Sequence, residues 1–319
     1  MSKPFASTGD VSEKTETFEI IADGVYALTA EGDPNVGAFE AEDFLVCFDA
    51  RATPATGNSW LAKLREFTDK PVKYLVLTHY HAVRVLGASA LEPENIIASS
   101  ATAKLIKERG QADWDSEFGR MPRLFKRPET IPGLTIPTQI IEEDMTIDLG
   151  GDRGLLEIKF CGRGHTAGDL IGWHSKSKTL FAGDLVEAES ALYTGDAHHF
   201  DWSEKTLDTL KAFRAENLVG GRGAVARGVK ATDDAIEQTR SFVKALIKHV
   251  SEVHANGGTV KEAFDSTREA LAPRYGKWPI FDHVLPFDVQ RVWDELEGID
   301  WPRIWTPERD HAVWDLLQD

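Results

Sequence analysis

Between residues 18 and 225 the chain alternates short apolar runs with turn residues, a pattern typical of an α/β protein. The first two runs flank Asp23-Gly24 and predict a β-hairpin. Strand-and-helix units then occur twice, over roughly 20–110 and 140–225, which predicts a pseudo-repeat of topology without residue identity. The further predicted strands are 44–50, 71–77, 95–99, 145–150, 155–160, 169–174 and 179–184, and the predicted helices are 58–67, 100–110 and 203–217.

Three segments depart from this alternation. Residues 1–17 are polar and are expected to form a mobile tail. Residues 111–138 are rich in proline, arginine and glycine and are expected to form a long loop. From residue 231 apolar residues recur at helical spacing, and Thr259-x-x-Glu262 is a capping box that opens a second helix. The predicted organisation is a tail (1–17), an α/β domain (18–230) and a C-terminal helical extension (231–319).

Composition limits the classes of partner. The net charge is −16 and the pI is about 5.1, so the chain is expected to bind neither nucleic acid nor anionic membranes. Two isolated cysteines, no secretory signal and no apolar run of about 18 residues predict a cytoplasmic protein. An anionic substrate must therefore meet a locally positive pocket. Five of the nine tryptophans lie between 278 and 314, where they either pack on their own domain or form a homodimer interface.

Polar residues with metal-binding chemistry follow several of the predicted strands. His79 and His81 come directly after strand 71–77, His165 follows strand 155–160, and Asp184 ends strand 179–184. Three neutral imidazoles and a water form a typical open catalytic zinc site, and Asp184 could be a fourth ligand or a neighbour of the ligands. Bound Zn²⁺ lowers the pKa of its water to roughly 7.

The order of these residues resembles the metallo-β-lactamase superfamily. Asp49 at a strand end, His79-x-His81, the GHTAGD segment around His165 and the Gly-Asp that ends at Asp184 match its markers in order, and the resemblance covers about 18–230. It implies an αββα sandwich with metals at one edge between the sheets. It also implies that the three histidines and the bridging Asp184 bind the first metal. Asp49 is expected to have a structural role and to orient the ligand loops by hydrogen bonds.

Three positions depart from the pattern of that family. Val83 stands where the family has the aspartate of its second metal site, Arg84 stands for the histidine of that site, and Arg222 stands for the late histidine. These replacements predict one Zn²⁺ per chain. We expect both arginines, with Asp184, to act in catalysis, because a guanidinium does not bind a cation but can bind a carboxylate or sulfur oxyanion bidentately.

Two further segments bear on the substrate. HYHAVRVLGASA together with GRGH resembles the SoxH-like branch of the superfamily, which is found with bacterial sulfur-oxidation genes. The loop ALYTGDAHHF (191–200) follows the strand that ends at Asp184, so Tyr193, Asp196 and His198 are expected to line the substrate pocket.

These observations leave three functional readings open. The first is a mononuclear zinc hydrolase that acts on a small acidic acyl or thioester-type substrate. The second is an oxygenase with non-haem iron, like the persulfide dioxygenases of the same superfamily, because two histidines and one carboxylate also suit Fe²⁺. The third is a non-catalytic protein that uses the same fold to bind an anion.

Overall fold

Two β-sheets stacked face to face form the centre of the fold, and the computed structural model describes residues 3–318. In the first sheet seven strands follow one another in chain order. In this sheet β1 to β4 are antiparallel, and β4 to β7 are parallel. The strands are β1 (Glu16–Ala22), β2 (Val25–Ala30), β3 (Val36–Glu40), β4 (Leu45–Phe48), β5 (Val72–Val76), β6 (Asn95–Ser99) and β7 (Gln139–Ile141).

The second sheet has six strands in the order β13-β12-β11-β10-β9-β8. Strands β8 to β11 form an antiparallel meander, β12 runs parallel to β11, and β13 is antiparallel to β12. The strands are β8 (Met145–Asp148), β9 (Leu155–Phe160), β10 (Leu170–His174), β11 (Thr179–Gly183), β12 (Asn217–Gly220) and β13 (Ala226–Arg227).

Helices cover the outer faces of both sheets. Helices α1 and α3 pack on the first sheet through residues such as Trp60 and Leu105, and the later helices cover the second sheet. A π-helical turn, Trp202–Thr206, joins α4 to α5. The helices of the described residues are α1 (Pro54–Leu64), α2 (Ala82–Val85), α3 (Ser100–Arg120), α4 (His199–Asp201), α5 (Leu207–Ala212), α6 (Val229–Ala255), α7 (Val260–Tyr275), α8 (Phe281–Leu296) and α9 (Pro307–Gln318).

Aromatic side chains fill the space between the two sheets. Phe48 and Phe181 stack with ring centroids 5.3 Å apart. Glycine occupies the facing positions, since a Cβ at Gly37 would overlap Phe181 and one at Gly172 would overlap Phe48. The two sheets therefore approach closely enough for one shared core, and the predicted αββα sandwich with C-terminal helices is confirmed.

Several local predictions are also confirmed. The hairpin turns at Gly24, which has a φ of 67°. The four strands predicted between 145 and 184 correspond to β8–β11. Helix α7 opens with the expected capping box, in which Thr259 Oγ1 accepts from the Glu262 amide at 3.2 Å and Glu262 accepts from the Thr259 amide at 2.7 Å.

The predicted loop over 111–138 is wrong in its first part, because α3 continues through Gly110 to Arg120. A glycine inside a helix costs only about 1 kcal/mol, which tertiary contacts readily exceed. Ser116 supplies one such contact by donating to Asp310 Oδ2 at 2.5 Å. The remainder of the segment contains 3₁₀ turns at Pro122–Leu124 and Pro128–Thr130.

Part of the predicted tail contacts the helical region, and its mobility stays a prediction. Phe5 is buried, and its ring lies 4.6 Å from that of His311 and 5.4 Å from that of Trp314. Ser7 Oγ donates to the Arg120 carbonyl at 2.6 Å. One buried aromatic residue in a polar segment therefore anchors it to α9. Residues 1–2 of the predicted tail lie outside the described residues.

Two of the clustered tryptophans pack within the chain. Trp305 and Trp314 are buried, and Trp305 Nε1 donates to the Gly195 carbonyl at 3.0 Å. These two residues therefore stabilise the helical region against the sandwich, and a homodimer through this region stays a prediction. Among residues 3–318 no helix is long and apolar enough to cross a membrane.

Candidate metal centre

The expected metal-binding residues lie at the ends of three strands. His79 and His81 lie in the turn between β5 and α2, His165 lies in the loop between β9 and β10, and Asp184 follows β11. At Gly183, with a φ of 51°, a Cβ would lie 2.8 Å from the Thr78 side chain. The glycine therefore allows the end of β11 to approach the end of β5, which brings Asp184 to the histidines.

The three histidines converge on one point. One nitrogen from each of His79, His81 and His165 lies within 4.8 Å of the other two. Asp184 Oδ2 lies 3.6 Å from His79 Nε2 and 3.5 Å from His165 Nε2. The three imidazoles are at most 2% exposed. The structure therefore brings together the four residues that the sequence places in the first metal site.

A hydrogen-bond chain sets the tautomer of His79. Thr78 Oγ1 donates to Asp49 Oδ2 at 2.8 Å, so its lone pair accepts from His79 Nδ1 at 3.0 Å. The proton therefore resides on Nδ1, and His79 Nε2 carries a lone pair. Among the described residues Nε2 has no hydrogen-bond partner although it is buried. Asp49 thus orients His79 through Thr78, a residue that the sequence reading missed.

A second carboxylate orients His81. Its Nε2 donates to Asp196 Oδ2 at 3.3 Å, which directs Nδ1 toward the other histidines, 3.0 Å from His165 Nε2. Asp196 is fixed in turn by Arg109 Nη1 at 3.3 Å. Burial lowers the pKa of His81, but the charges of Asp113, Asp196 and Glu117 outweigh it and raise that pKa to about 9.

The His165 loop is closed by its own motif. Asp169 of GHTAGD accepts from the Thr166 amide at 2.7 Å and from the Thr166 hydroxyl at 2.9 Å. Ser99 Oγ at the start of α3 donates to the Gly168 carbonyl at 2.7 Å. Burial lowers the pKa of His165 to about 3. The loop therefore presents a neutral imidazole in a fixed position.

Asp184 has a guanidinium partner on each carboxylate oxygen. Arg84 Nη2 contacts Oδ1, and Arg222 Nη1 lies 3.4 Å from Oδ2. Burial disfavours the charged carboxylate, but Arg84, His79 and Arg222 outweigh it and hold the pKa of Asp184 well below its usual value. A Cβ at residue 221 would overlap Asp184 Oδ1, so Gly221 makes this packing sterically feasible.

The partners of Arg84 and Arg222 bear on the role expected for them. Both side chains are buried, and Arg84 also donates to the carbonyls of Asn35 at 2.8 Å and Gly221 at 2.7 Å. Arg222 donates to the Gly32 carbonyl and to Glu187, each at 2.9 Å. In the structure both arginines neutralise the charge of the Asp184 carboxylate. Their direct contact with a substrate anion stays a prediction.

Two carboxylates near Val83 come from the part of α3 that the sequence reading assigned to a loop. Asp113 accepts from the Ala82 amide at 2.7 Å, and Glu117 accepts from the Val83 amide at 2.9 Å. They cap the first turn of α2 and place negative charge beside His81. Their spacing of four residues places them on one face of a helix. This spacing was the feature of the sequence that could have indicated their shared role.

The loop residues expected to line a pocket have different surroundings. The Tyr193 ring lies 5.6 Å from that of His81, and Asp196 is the hydrogen-bond partner of His81. His198 lies beside Asp300, with 3.8 Å between Nδ1 and Oδ1, and lines a separate cavity with Arg163. Contact of these three residues with substrate stays a prediction.

The set of donor atoms fits a zinc-type ion. Three imidazole nitrogens and one carboxylate oxygen are donors typical of tetrahedral Zn²⁺. Two of the rings are held by carboxylates, one directly and one through Thr78, as is usual for metal-binding histidines. Hydrogen bonding directs Nε2 of His79 and Nδ1 of His81 away from these supports and toward the shared point, so the site can bind a metal.

Comparison with known proteins agrees with this geometry. The metallo-beta-lactamase superfamily model matches residues 31–222. The chain is 28% identical over 162 residues to a type 2 metallo-beta-lactamase of Bacillus sp. (strain 170), with 49% of this chain and 53% of that protein covered. It thus spans about half the length of that relative. It is 25% identical over 199 residues to metallo-beta-lactamase IND-1 of Chryseobacterium indologenes, with 61% and 67% covered.

Solved structures show the same fold. A metallo-beta-lactamase from Pontibacter korlensis superposes with a TM-score of 0.57 at 20% identity, covering 72% of this chain and 99% of the other. The DIM-1 metallo-beta-lactamase gives 0.54 at 20% identity, covering 73% and 99%. The part of this chain that these structures do not cover exceeds a quarter of its length. Because the family model matches more than half of the chain, this protein belongs to the metallo-beta-lactamase superfamily.

Proposed function

We propose that this protein is a metal-dependent hydrolase that binds one Zn²⁺ per chain through His79, His81 and His165, with Asp184 beside the metal. The convergence of three imidazole nitrogens within 4.8 Å of one another carries this proposal. The curated relatives are metallo-beta-lactamases by name, which supports hydrolysis as the reaction class.

The environment of Asp184 supports a single metal. In the resemblance drawn from the sequence, Arg84 and Arg222 occupy the positions of two second-site histidines. Their guanidiniums bear fixed positive charge and contact both oxygens of Asp184. A second cation would have to displace or approach these two charges, which is electrostatically unfavourable in a buried site. The arginines therefore supply the charge that a second metal would contribute.

Each residue has a distinct part in the proposed reaction. A Zn²⁺ held by His79, His81 and His165 would supply hydroxide near neutral pH and would polarise the scissile carbonyl. Asp196 and the Thr78–Asp49 pair hold His81 and His79 in the orientation that exposes their lone pairs. Asp184 stays ionised because of its two arginines, so it is a weak proton acceptor. Tyr80, Tyr193 and Trp202 pack their rings around the histidines and exclude bulk water.

The substrate class that we propose is a small acidic acyl compound, such as a thioester, with a link to sulfur metabolism. The overall charge of −16 repels anions, so an acidic substrate requires buried positive groups, and the centre of this fold contains several. The sulfur link rests on the resemblance of HYHAVRVLGASA and GRGH to the SoxH-like branch.

A second candidate is an iron-dependent oxygenase. Its support is that one oxygen of Asp184 is nearly equidistant from His79 and His165, at 3.6 and 3.5 Å, as in a site of two histidines and one carboxylate. His81 argues against it, because its Nδ1 is directed to the same point and supplies a third nitrogen.

Metal content tests both proposals and the alternative of a non-catalytic protein. Untagged protein purified without added metal or chelator would be measured by plasma mass spectrometry. We expect about one zinc per chain and its loss in His165→Ala, followed by activity in ester and thioester screens. One iron with O₂ uptake on glutathione persulfide would support the oxygenase. Two metals would contradict the role given to the arginines, and no metal after reconstitution would leave an anion-binding protein.

A further inference from the structure

The tight turn Thr194–Ala197 carries Asp196, the carboxylate that accepts from His81. The turn is closed by one bond of its own, in which the Ala197 amide donates to the Thr194 carbonyl at 3.0 Å. All four residues of the turn are buried. A turn with a single internal hydrogen bond does not fix its own position in the molecule. The position of this carboxylate therefore depends on the groups that contact the turn from outside.

Three side chains of the C-terminal helical region bind the backbone of this turn. Asp288 accepts from the first amide of the turn at 2.7 Å. Trp305 Nε1 donates to the Gly195 carbonyl at 3.0 Å, and Arg291 Nε donates to the last carbonyl of the turn at 2.7 Å. The turn is thus held at its beginning, at the residue before Asp196 and at its end.

Two of these side chains are themselves fixed in position. Arg291 is 1% exposed, and its Nη1 and Nη2 donate to the carbonyls of Ile299 and Asp300 at 2.7 and 2.8 Å. Trp305 is buried, and a Cβ at Gly195 would lie 2.8 Å from its Nε1. The glycine therefore permits the close approach of the indole to the turn.

The same region also reaches the carboxylate of Asp196. Arg109 Nη1 donates to Asp196 Oδ1 at 3.3 Å and to the Pro302 carbonyl at 2.9 Å. Residues 288–305 lie beyond residue 222, where the match to the superfamily model ends. Contacts outside the matched part of the chain therefore fix both the backbone and the side chain of this residue.

We infer that the C-terminal helical region is a functional part of the metal centre, in which Asp288, Arg291 and Trp305 are positioning residues for the turn that orients His81. This inference rests on the proposed function, because it concerns a ligand of the proposed Zn²⁺. The partners that orient a metal-binding imidazole affect metal affinity although they do not touch the metal. Loosening the turn should therefore weaken the contribution of this one imidazole to zinc binding.

The zinc affinity of the full chain, measured by competition with a chromogenic chelator, tests the inference. Trp305→Phe keeps a buried aromatic ring but removes the N–H that donates to the Gly195 carbonyl. We expect it to weaken zinc binding about fivefold, as for the loss of one hydrogen bond. Trp314→Phe is the matched control, because Trp314 is a buried tryptophan of α9 whose Nε1 has no hydrogen-bond partner among residues 3–318. It should leave the affinity unchanged.

A double-mutant cycle with Asp196→Ala separates positioning from general packing. Without the carboxylate the position of the turn no longer affects His81, so adding Trp305→Phe should cause no further loss of affinity. A loss that persists in the Asp196→Ala background, or an equal loss in Trp314→Phe, would overturn the inference.

A second pair of variants addresses the other end of the contact. Asp288→Leu removes the acceptor of the first amide of the turn and should weaken zinc binding, whereas Asp288→Asn retains an acceptor oxygen and should recover most of the affinity. This pair replaces Trp305→Phe if that variant does not fold. Unchanged affinity in both Trp305→Phe and Asp288→Leu would overturn the inference.

The proton on His81 Nε2 gives a readout that does not depend on zinc. Its exchange with water, followed by NMR on protein with ¹⁵N-labelled imidazoles, is slowed by the hydrogen bond to Asp196. We expect faster exchange in Trp305→Phe, both with and without zinc, and equal exchange would overturn the inference. If the unchanged chain binds no zinc, the proposed function is contradicted, whereas faster exchange in Trp305→Phe would still support the positioning role.

Discussion

Arg84 reaches from the first turn of α2 to the carboxylate of Asp184, and both side chains are almost completely buried. An ion pair in such a place is sensitive to the loss of one partner, because the remaining charge stays in a medium of low polarity. Here the remaining charge would also lie beside the histidines. The ion pair between Arg84 and Asp184 therefore affects both the stability of the fold and the electrostatics of the candidate metal centre.

Arg84→Met is expected to lower the free energy of unfolding by about 3–5 kcal/mol, since it leaves Asp184 with Arg222 as its one guanidinium partner among the described residues. Urea denaturation in the presence of a chelator would measure this without a contribution from metal binding. Arg127→Met is the control, because Arg127 pairs with Glu129 in an exposed position. It should change stability by less than about 1 kcal/mol. Equal stability of Arg84→Met and the unchanged protein would contradict the argument.

Val83→Asp/Arg84→His/Arg222→His is expected to raise the metal content from one to two per chain. The three changes restore the donor types that the superfamily pattern has at these positions and remove both guanidiniums from Asp184. Plasma mass spectrometry after dialysis against excess zinc would measure the ratio. Val83→Asp alone retains both arginines and should stay at one metal. A triple variant that folds and still binds one would refute the assignment of these positions.

Thr78→Val is expected to weaken metal binding by about 10–100-fold, the range typical for the loss of a group that orients a metal ligand. Valine keeps the shape of threonine but removes the hydroxyl that joins Asp49 to His79. Competition with a chromogenic chelator would measure the affinity. Thr78→Ser retains the hydroxyl and should bind metal as the unchanged protein does. A normal affinity in Thr78→Val would show that the tautomer of His79 has another origin.

Metal binding at pH 6 is expected to release about one proton, which comes from His81. Its pKa of about 9 means that the ring is protonated at this pH in metal-free protein, whereas His165, with a pKa of about 3, is neutral. Affinity should therefore rise with pH until His81 loses its proton near pH 9. Calorimetry in buffers of different ionisation enthalpy counts the protons. Asp113→Asn should reduce the number, because Asp113 is the largest of the charges that raise this pKa.

The sequence was sufficient for the parts of the fold in which local pattern and tertiary structure agree. The apolar runs predicted the strands that precede His79 and Asp184, and the order of motifs indicated the proposed metal ligands, because strand ends in such a sandwich meet at one edge. The course of α3 past Gly110 was missed, since its later turns are stabilised by contacts with α2 and α9 that local propensity does not reveal.

The roles of individual charges were harder to predict than their positions. Arg84 and Arg222 were interpreted as departures from the family pattern, but their partners depend on distances between β11, β12 and α2. A residue type indicates which partners are chemically suitable, whereas only packing decides which of them lie within reach.

The enclosure of the three histidines by Tyr80, Tyr193 and Trp202 has a kinetic consequence. A chelator can reach the ligands only when this shell opens, so the rate of metal loss should level off at high chelator concentration at the rate of opening. Retention of the metal would then depend on the lifetime of the closed shell as well as on the strength of the coordinate bonds. After dilution such a protein would lose its metal more slowly than a protein with an open site of the same affinity.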